Sequence, residues 1–386
     1  RAIIDAAARH KTVLLQTVPS MLDMILDTIT PHDHTTLTHL RNTVSSGEAL
    51  HPNTITRYHN TMPGTLHNTW GATEVSIDST IHTCTHHDTT DTGPTAIGKP
   101  FDNNQIHILD HHLNPVPLGT TGNLYIAGTG LARGYLHNPT KTAQTFLPNP
   151  FQPGQRMYNT GDQGYQRPDG TLKYTGRNDH QIKIRGMRVE LGEIDTTLHN
   201  HPTIKNAITT HHQAPNGLKR LISYVTPADL DVTVSPDDVR AYVGDHLPDY
   251  MTPSLVIVLD RLPLNANGKV DRLRLPEPTD PGALTGTEFV APTGPAQQAV
   301  VAIWADLLGT NRIGAQDNFF HLGGHSLLAA KFTARVRSRF GVELPLQVVF
   351  TSPTVRALAS ELESLLEARI RDLSEDEALA LLRELA

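Results

Sequence analysis

Residues 276–294, PEPTDPGALTGTEFVAPTG, divide this chain more firmly than any other stretch. Proline, glycine and threonine crowd together there, and no apolar residue recurs at a helical or strand period. That is linker composition, because such a segment has no face to bury. The sequence on either side follows different periods. Upstream, short apolar runs alternate with Gly/Pro turns. Downstream, apolar residues recur at helical spacing: Val300, Ile303, Trp304, Leu307 and Leu308; then Leu328, Phe332, Val336 and Phe340; then Val355, Leu358, Ala359, Leu362 and Leu366. Three amphipathic faces in so short a span predict a small all-α helical bundle over 295–367. At 386 residues the chain is too long for a single core.

The upstream part divides again. Residues 1–178 open with RAIIDAAARHKTVLLQTVPS, an amphipathic helix running into a strand. Charge throughout and the lack of a long apolar core exclude a signal peptide, and with no initiator Met the chain reads as starting mid-domain. TVLLQ and TVSSGEAL are strands ending at loops, so an α/β region comes first. QIHILD, GNLYIAG and GTLKYTG follow as strands, with Asp169-Gly170 supplying the positive φ of a hairpin turn. This predicts a barrel-like unit. Residues 179–275 form a smaller α+β unit: KIRGMRVE is a strand pair, LGEIDTTLHNH a helix burying Leu191, Ile194 and Leu198, and ITTHHQ and RLISYVTP are strands. Ser235 caps the helix SPDDVRAYVGDHL, with Pro236 at its first position. In the tail, 368–386, Ser374 and Glu377 make a capping box for a short extra helix, a candidate docking segment.

Charge and composition exclude several classes. A net charge of −7 argues against a nucleic-acid binder. No run of 18 apolar residues suggests a membrane span. A single cysteine, Cys84, forbids an intrachain disulfide and fits a cytoplasmic location. Of the 22 histidines, several are adjacent pairs. In a strand such pairs point to opposite faces, which makes them poor joint ligands for zinc.

Six motifs follow one another in fixed order: NTWGATE (68–74), GNLYIAGTGLARGYL (122–136), YNTGDQG (158–164), GRNDHQIKIRGMRVELGEID (176–195), LPDYMTP (247–253) and NANGKVDR (265–272). Together they resemble the adenylation domains of nonribosomal peptide synthetases, members of the adenylate-forming enzymes. The resemblance covers nearly everything from about residue 10 to 275. It implies that an amino acid and ATP become aminoacyl-AMP and pyrophosphate. Two anions meet in that reaction, so the site needs cations, a metal and neutral donors. Carried over residue by residue, Lys269 in NGKVD is the catalytic cation between the substrate carboxylate and ATP. Asp162 and Arg177 contact ribose, Asn68 reads the adenine edge, Trp70 stacks on adenine, Thr73 bonds a phosphate oxygen, and Gly47 completes the nucleotide set. Glu74 is the Mg²⁺ ligand. Trp70 stands where the family usually has tyrosine, and Ala72 where it has proline. Asp179 is the hinge between two poses: one delivers Lys269, and the other brings the loop of Gly186 to the thiol.

A second motif, DNFFHLGGHSLLAAKF (317–332), resembles acyl and peptidyl carrier proteins. The resemblance implies that Ser326 takes a covalent 4′-phosphopantetheine, the helix N-terminus favouring its phosphate. GTTG at 119–122 imitates the family's phosphate loop but runs straight into the strand NLYIAG and is a turn. Neither the true loop nor the aspartate that holds the substrate amino group occurs in these residues. The chain alone is therefore expected to be inactive. The pocket positions Val44, Ser46, Thr69, Ile77 and Asp78 favour serine first and a basic amino acid second, since a buried Asp78 needs a donor. Expected partners are a phosphopantetheinyl transferase, neighbouring condensation or thioesterase domains and a small activating protein. Two other readings compete: a carrier and interaction module with an inactive adenylation remnant, and an aryl-acid or acyl-CoA ligase.

Overall fold

The computed structural model describes residues 1–90, 93–178, 181–184, 186–213, 219–229, 232–265, 269–277, 289–310, 312–324 and 326–372. Strands β1 (Leu14–Thr17), β2 (Asn42–Ser45) and β3 (Thr65–Trp70) run parallel, each reached through a helix. Parallel neighbours need such crossovers. Two of these helices, Pro19–Thr28 and Pro52–Thr61, begin on proline, which is preorganised for a first helical turn. Their apolar stripes bury Leu22, Ile25, Ile55 and Tyr58 against Leu66 of β3. Two antiparallel strands, β4 (Thr80–Thr83) and β5 (Lys99–Pro100), complete the sheet.

The second sheet contains β6 (Asn104–Leu109), β7 (Gly122–Gly128), β8 (Phe146–Pro148), β9 (Arg156–Gln166) and β10 (Leu172–Arg177). Its path runs β10-β9-β7-β6, with β8 also on β9. The sequence predicted a barrel-like unit, whereas this path is open. A bridge from Gly98 to Leu172 ties it to the first sheet. Trp70, Val75, Leu124, Ile126 and Tyr158 share one core across the two. Gly119 has φ +81 and precedes β7, so GTTG is a turn, as read from the sequence.

Two compact units emerge, Arg1–Val189 and Glu190–Ala386. The sequence placed this division at 179. The strand pair β11 (Gln181–Ile184) and β12 (Met187–Glu190) packs instead with the first unit, for reasons of charge given below. Asp179, the expected hinge, lies outside the described residues, as does the expected tail helix.

In the second unit, β13 (Ile204–Gln213) pairs antiparallel with β14 (Lys219–Pro227), and β14 parallel with β15 (Leu255–Val258). Helix Leu191–His199 buries Leu191, Ile194 and Leu198, as their spacing predicts. Ser235 Oγ accepts from Asp238 N at 3.3 Å, capping helix Pro236–His246. The bundle comprises helices Gly294–Leu308, Ser326–Phe340, Leu346–Thr351 and Val355–Asp372 around Trp304, Phe319 and Phe332. The short helix at 346 was not foreseen, and the last helix runs five residues past the expected end at 367. Part of the expected linker is strapped to the bundle, because Ala315 N donates to Val290 O at 2.7 Å.

Candidate active site and carrier turn

The antiparallel register of β9 and β10 sets Arg177 opposite Asp162. Arg177 Nη1 donates to Asp162 Oδ1 at 2.6 Å, and Trp70 Nε1 donates to Oδ2 at 2.9 Å. Arg177 Nη2 also reaches Thr160 O and Gln181 Oε1, at 2.9 and 2.7 Å. Asp162 is only 6% exposed, so these charge-assisted donors offset the cost of burying its charge. Trp70 thus does two things: it packs in the core and orients this carboxylate. Asn68 is buried, with its amide donating to Ala96 O at 2.9 Å.

Glu74, in a 3₁₀ turn after β3, is also buried. Arg188 Nη1 contacts its two oxygens at 2.8 and 3.1 Å, and Tyr135 Oη donates at 2.6 Å. Burial alone would raise this carboxyl. The Tyr135 hydrogen bond and the Arg188 charge outweigh burial together and hold it below the usual carboxylate range. Burial and Glu74 push the Tyr135 phenol up to about 12, so it stays a donor. A single ionised carboxylate suits Mg²⁺ completed by water and phosphate oxygens. Among the described residues no cluster of three ligating side chains exists. In this structure the Glu74 carboxylate is occupied by Arg188 and Tyr135. Thr73 beside it is exposed.

Arg188→Gln tests this pair. Since the Glu74 carboxyl lies below its ordinary range, the pair stabilises the fold fully above that range and loses its effect as pH falls through it. The substitution should cost about 1.5–3 kcal/mol at neutral pH, nearer the lower figure because Arg188 is 37% exposed. With the Arg188 charge gone, the Glu74 carboxyl should rise from its depressed position. Thermal melts across pH read both changes; equal melts at neutral pH would show the pair to be inert.

Gly186, between β11 and β12, donates its N–H to Glu48 Oε1 at 2.7 Å, while Ser20 N donates to Oε2 at 3.1 Å. Gly186 has φ +76, and a Cβ there would lie 2.6 Å from Val18 Cγ1. Only glycine fits without displacement. A Cβ on Gly47 would come within 3.9 Å of Gly186 Cα. Glu48 thus holds the turn of this strand pair and Glu74 holds Arg188 of its second strand, two contacts that pack the pair with the first unit.

Strand alternation and the β2–β3 register put Val44, Ser46 and Thr69 on one sheet face, opposite to Asn68 and Trp70. Asp78 lies near Thr69. Burial raises the Asp78 carboxyl, and the Thr69 hydroxyl and Lys183 ammonium pull it back only in part. Thr69 Oγ1 is buried without a hydrogen bond of good geometry, so its pull on Asp78 is one of proximity. Ile77 stands apart from the other four, 65% exposed with φ +78.

Lys269 belongs to the second unit and is exposed on a turn closed by the bridge between Leu264 and Val270. Its N–H donates to Asn265 Oδ1 at 3.0 Å, and Asn265 N donates to Lys269 O at 2.8 Å. Ser326 is the first residue of its helix. Before it, Gly323 has φ +92, and a Cβ on Gly324 would lie 2.3 Å from Phe319 Cδ1. The turn is therefore pressed onto the bundle core.

Three family models match in this order: AMP-binding enzyme over residues 1–136, AMP-binding enzyme C-terminal domain over 193–269, and phosphopantetheine attachment site over 298–362. Bacitracin synthase 3 of Bacillus licheniformis is 39% identical over 378 residues, 98% of this chain and 6% of that protein. The chain belongs to the nonribosomal peptide synthetases. Tyrocidine synthase 2 of Brevibacillus parabrevis is 46% identical over 303 residues, 77% of this chain and 8% of the relative. The chain therefore spans under a tenth of these synthetases. It also resembles the solved structure of holo-PA1221, an NRPS protein containing adenylation and PCP domains, with a TM-score of 0.75 and 25% identity over 94% of this chain and 59% of that one. An adenylate-forming ligase region and a phosphopantetheine carrier domain thus share one synthetase chain. Among the described residues no helix is long and apolar enough to cross a membrane.

Sequence reasoning gave no role to Glu48, Tyr135, Lys183 or Arg188. Tyr135, Lys183 and Arg188 lie inside motifs quoted whole, and Glu48 lies in the segment TVSSGEAL. The available signal was charge at strand positions, Lys183 and Arg188, where an ordinary buried strand pair would carry aliphatic residues.

Proposed function

We propose that this chain contributes the nucleotide corner and carrier of a module that converts an amino acid and ATP to aminoacyl-AMP, then transfers the aminoacyl group to a thiol borne on Ser326. One observation carries the reading: the buried Asp162 carboxylate is held by Trp70 and Arg177, and a second carboxylate, Glu74, is equally buried in the same unit. Asp162 would accept from the two ribose hydroxyls. Glu74 would hold Mg²⁺, which supplies charge for the phosphates. Lys269 would bridge the carboxylate and phosphate oxygens. The pantetheine on Ser326, when bound, supplies the thiol that takes the aminoacyl group as a thioester. Asp179 would turn between the pose that uses Lys269 and the pose that uses Gly186. The Gly186–Glu48 hydrogen bond supports the second pose as one this sequence can hold.

The substrate reading rests on Asp78 and Thr69. Thr69 Oγ1 is buried without a hydrogen-bond partner, and the half-buried Asp78 carboxyl beside it is raised by desolvation, as in a pocket awaiting a hydroxyl or a cation. Serine comes first and a basic amino acid second. Pyrophosphate exchange across an amino-acid panel tests this with the complete module, while the 386 residues alone should exchange only at background. Strongest exchange with leucine or phenylalanine would refute the role of Asp78. Ornithine ahead of serine would refute only the ranking.

A further inference from the structure

Two arginines of the small α+β domain are buried in an unusual way. Arg220 on β14 and Arg240 in helix Pro236–His246 each keep a buried Nε with no hydrogen-bond partner. Burial holds both guanidiniums below their ordinary basicity. An arginine so desolvated calls for an explanation. Both side chains face the bundle. Arg220 Nη2 donates to Leu308 O, at the C-terminal end of helix Gly294–Leu308. Carbonyls there lack helical partners and attract cations. Arg220 also lies against Gly323, where a Cβ would sit 2.5 Å from Nε and 2.7 Å from Cδ. Arg240 Nη1 is 3.6 Å from Asp237 Oδ1, and the same oxygen is 3.5 Å from His321 Nε2. His321 and Gly323 belong to HLGGHS, the turn that leads into Ser326.

We propose that Arg220, Asp237 and Arg240 form a docking seat that holds the carrier by this turn, and that a transferase primes Ser326 only from the released carrier. The proposal rests on reading Ser326 as the attachment site. In priming, Ser326 Oγ bonds to the pantetheine-bearing phosphorus of CoA, adenosine 3′,5′-bisphosphate leaves, and the hydroxyl proton passes to solvent. The transferase must reach a residue three positions beyond Gly323, which Arg220 contacts in the seat. The glycine serves two needs: φ +92, and the room Arg220 takes.

His321 reports the seat. Burial first, and then the charge of Arg240, push its imidazole down to about 4, with Asp237 opposing. Asp237 and Arg240 face it from helix Pro236–His246, and Arg220 meets the same turn from β14. The seat therefore takes neutral His321. Docking is complete above the ordinary histidine range and weakens as pH falls from there toward about 4, roughly tenfold one unit below the ordinary pKa.

The test uses the full chain with CoA and a phosphopantetheinyl transferase. Priming is followed by mass, and His321 is titrated by NMR, its resonance identified by its loss in His321→Arg. Arg220→Glu should prime several-fold faster and return His321 to the ordinary range. His321→Arg, which sets a fixed cation against Arg240, should also prime faster without altering the small domain, and so decides the matter if Arg220→Glu fails to fold. Wild-type His321 titrating in its ordinary range, or both variants priming no faster than wild type, would overturn the seat. Absence of priming in every variant would instead overturn the reading of Ser326, and the His321 titration would still decide the seat.

Discussion

Lys269→Ala, placed in a complete module, should lower pyrophosphate exchange by roughly 10²–10³, the usual loss on removing a preorganised donor that acts as charge develops. The structure explains why a turn lysine can carry that load. Lys269 is exposed, so a long cationic side chain is free to reach outward from the turn. Its backbone is not free: Asn265 and Lys269 exchange hydrogen bonds across the turn, which fixes the root of a long side chain. Thioester formation from preformed aminoacyl-AMP should fall far less, because the proposed second pose uses Gly186 and not Lys269. Parallel rate measurements on both half-reactions decide between the two-pose mechanism and one in which Lys269 serves throughout. Equal losses would favour the latter.

Legibility in the sequence followed periodicity. The helical faces around Trp304, Phe332 and Leu358 were readable because a 3.6-residue repeat has one solution in a small bundle. Asp162 and Arg177 stood out because each ends or centres a strand flanked by glycine, and the structure pairs the two side chains. The unit boundary was not readable. Hinge position suggested a division at 179, but two long-range charge contacts, Glu48 to Gly186 and Glu74 to Arg188, draw β11 and β12 into the first unit. Local pattern carries no record of contacts 138 and 114 residues apart. Ile77 stands apart from the other pocket candidates for a similar reason. Thr69 is buried and Asp78 half-buried, yet a left-handed backbone at Ser76 and Ile77 turns this side chain outward. The seat beneath His321 was equally hidden, because Arg220 and Arg240 resemble any surface arginine until their burial is seen.

Ser326→Ala should abolish the mass gained from CoA and transferase, and no other residue should take it up. The expectation is all-or-none because the chemistry demands a hydroxyl at one place. The serine opens a helix of 15 residues, whose first N–H groups have no helical acceptor and whose dipole favours a phosphate. The turn before it is fixed by the bundle itself: Gly324 N donates to Phe319 O at 2.8 Å, and Phe319 is buried against Trp304 and Phe332. Gly324→Ala separates geometry from chemistry. Its Cβ would lie 2.3 Å from Phe319 Cδ1, an overpacking that should cost about 1–3 kcal/mol. That variant keeps the hydroxyl but displaces the turn, so it should prime slowly and melt early. Ser326→Ala should not prime at all, and its melting curve should match the wild type. A mass gain that persists in Ser326→Ala would remove the serine from the mechanism. Full-speed priming of Gly324→Ala would show that the hydroxyl alone suffices and that the fixed turn contributes nothing.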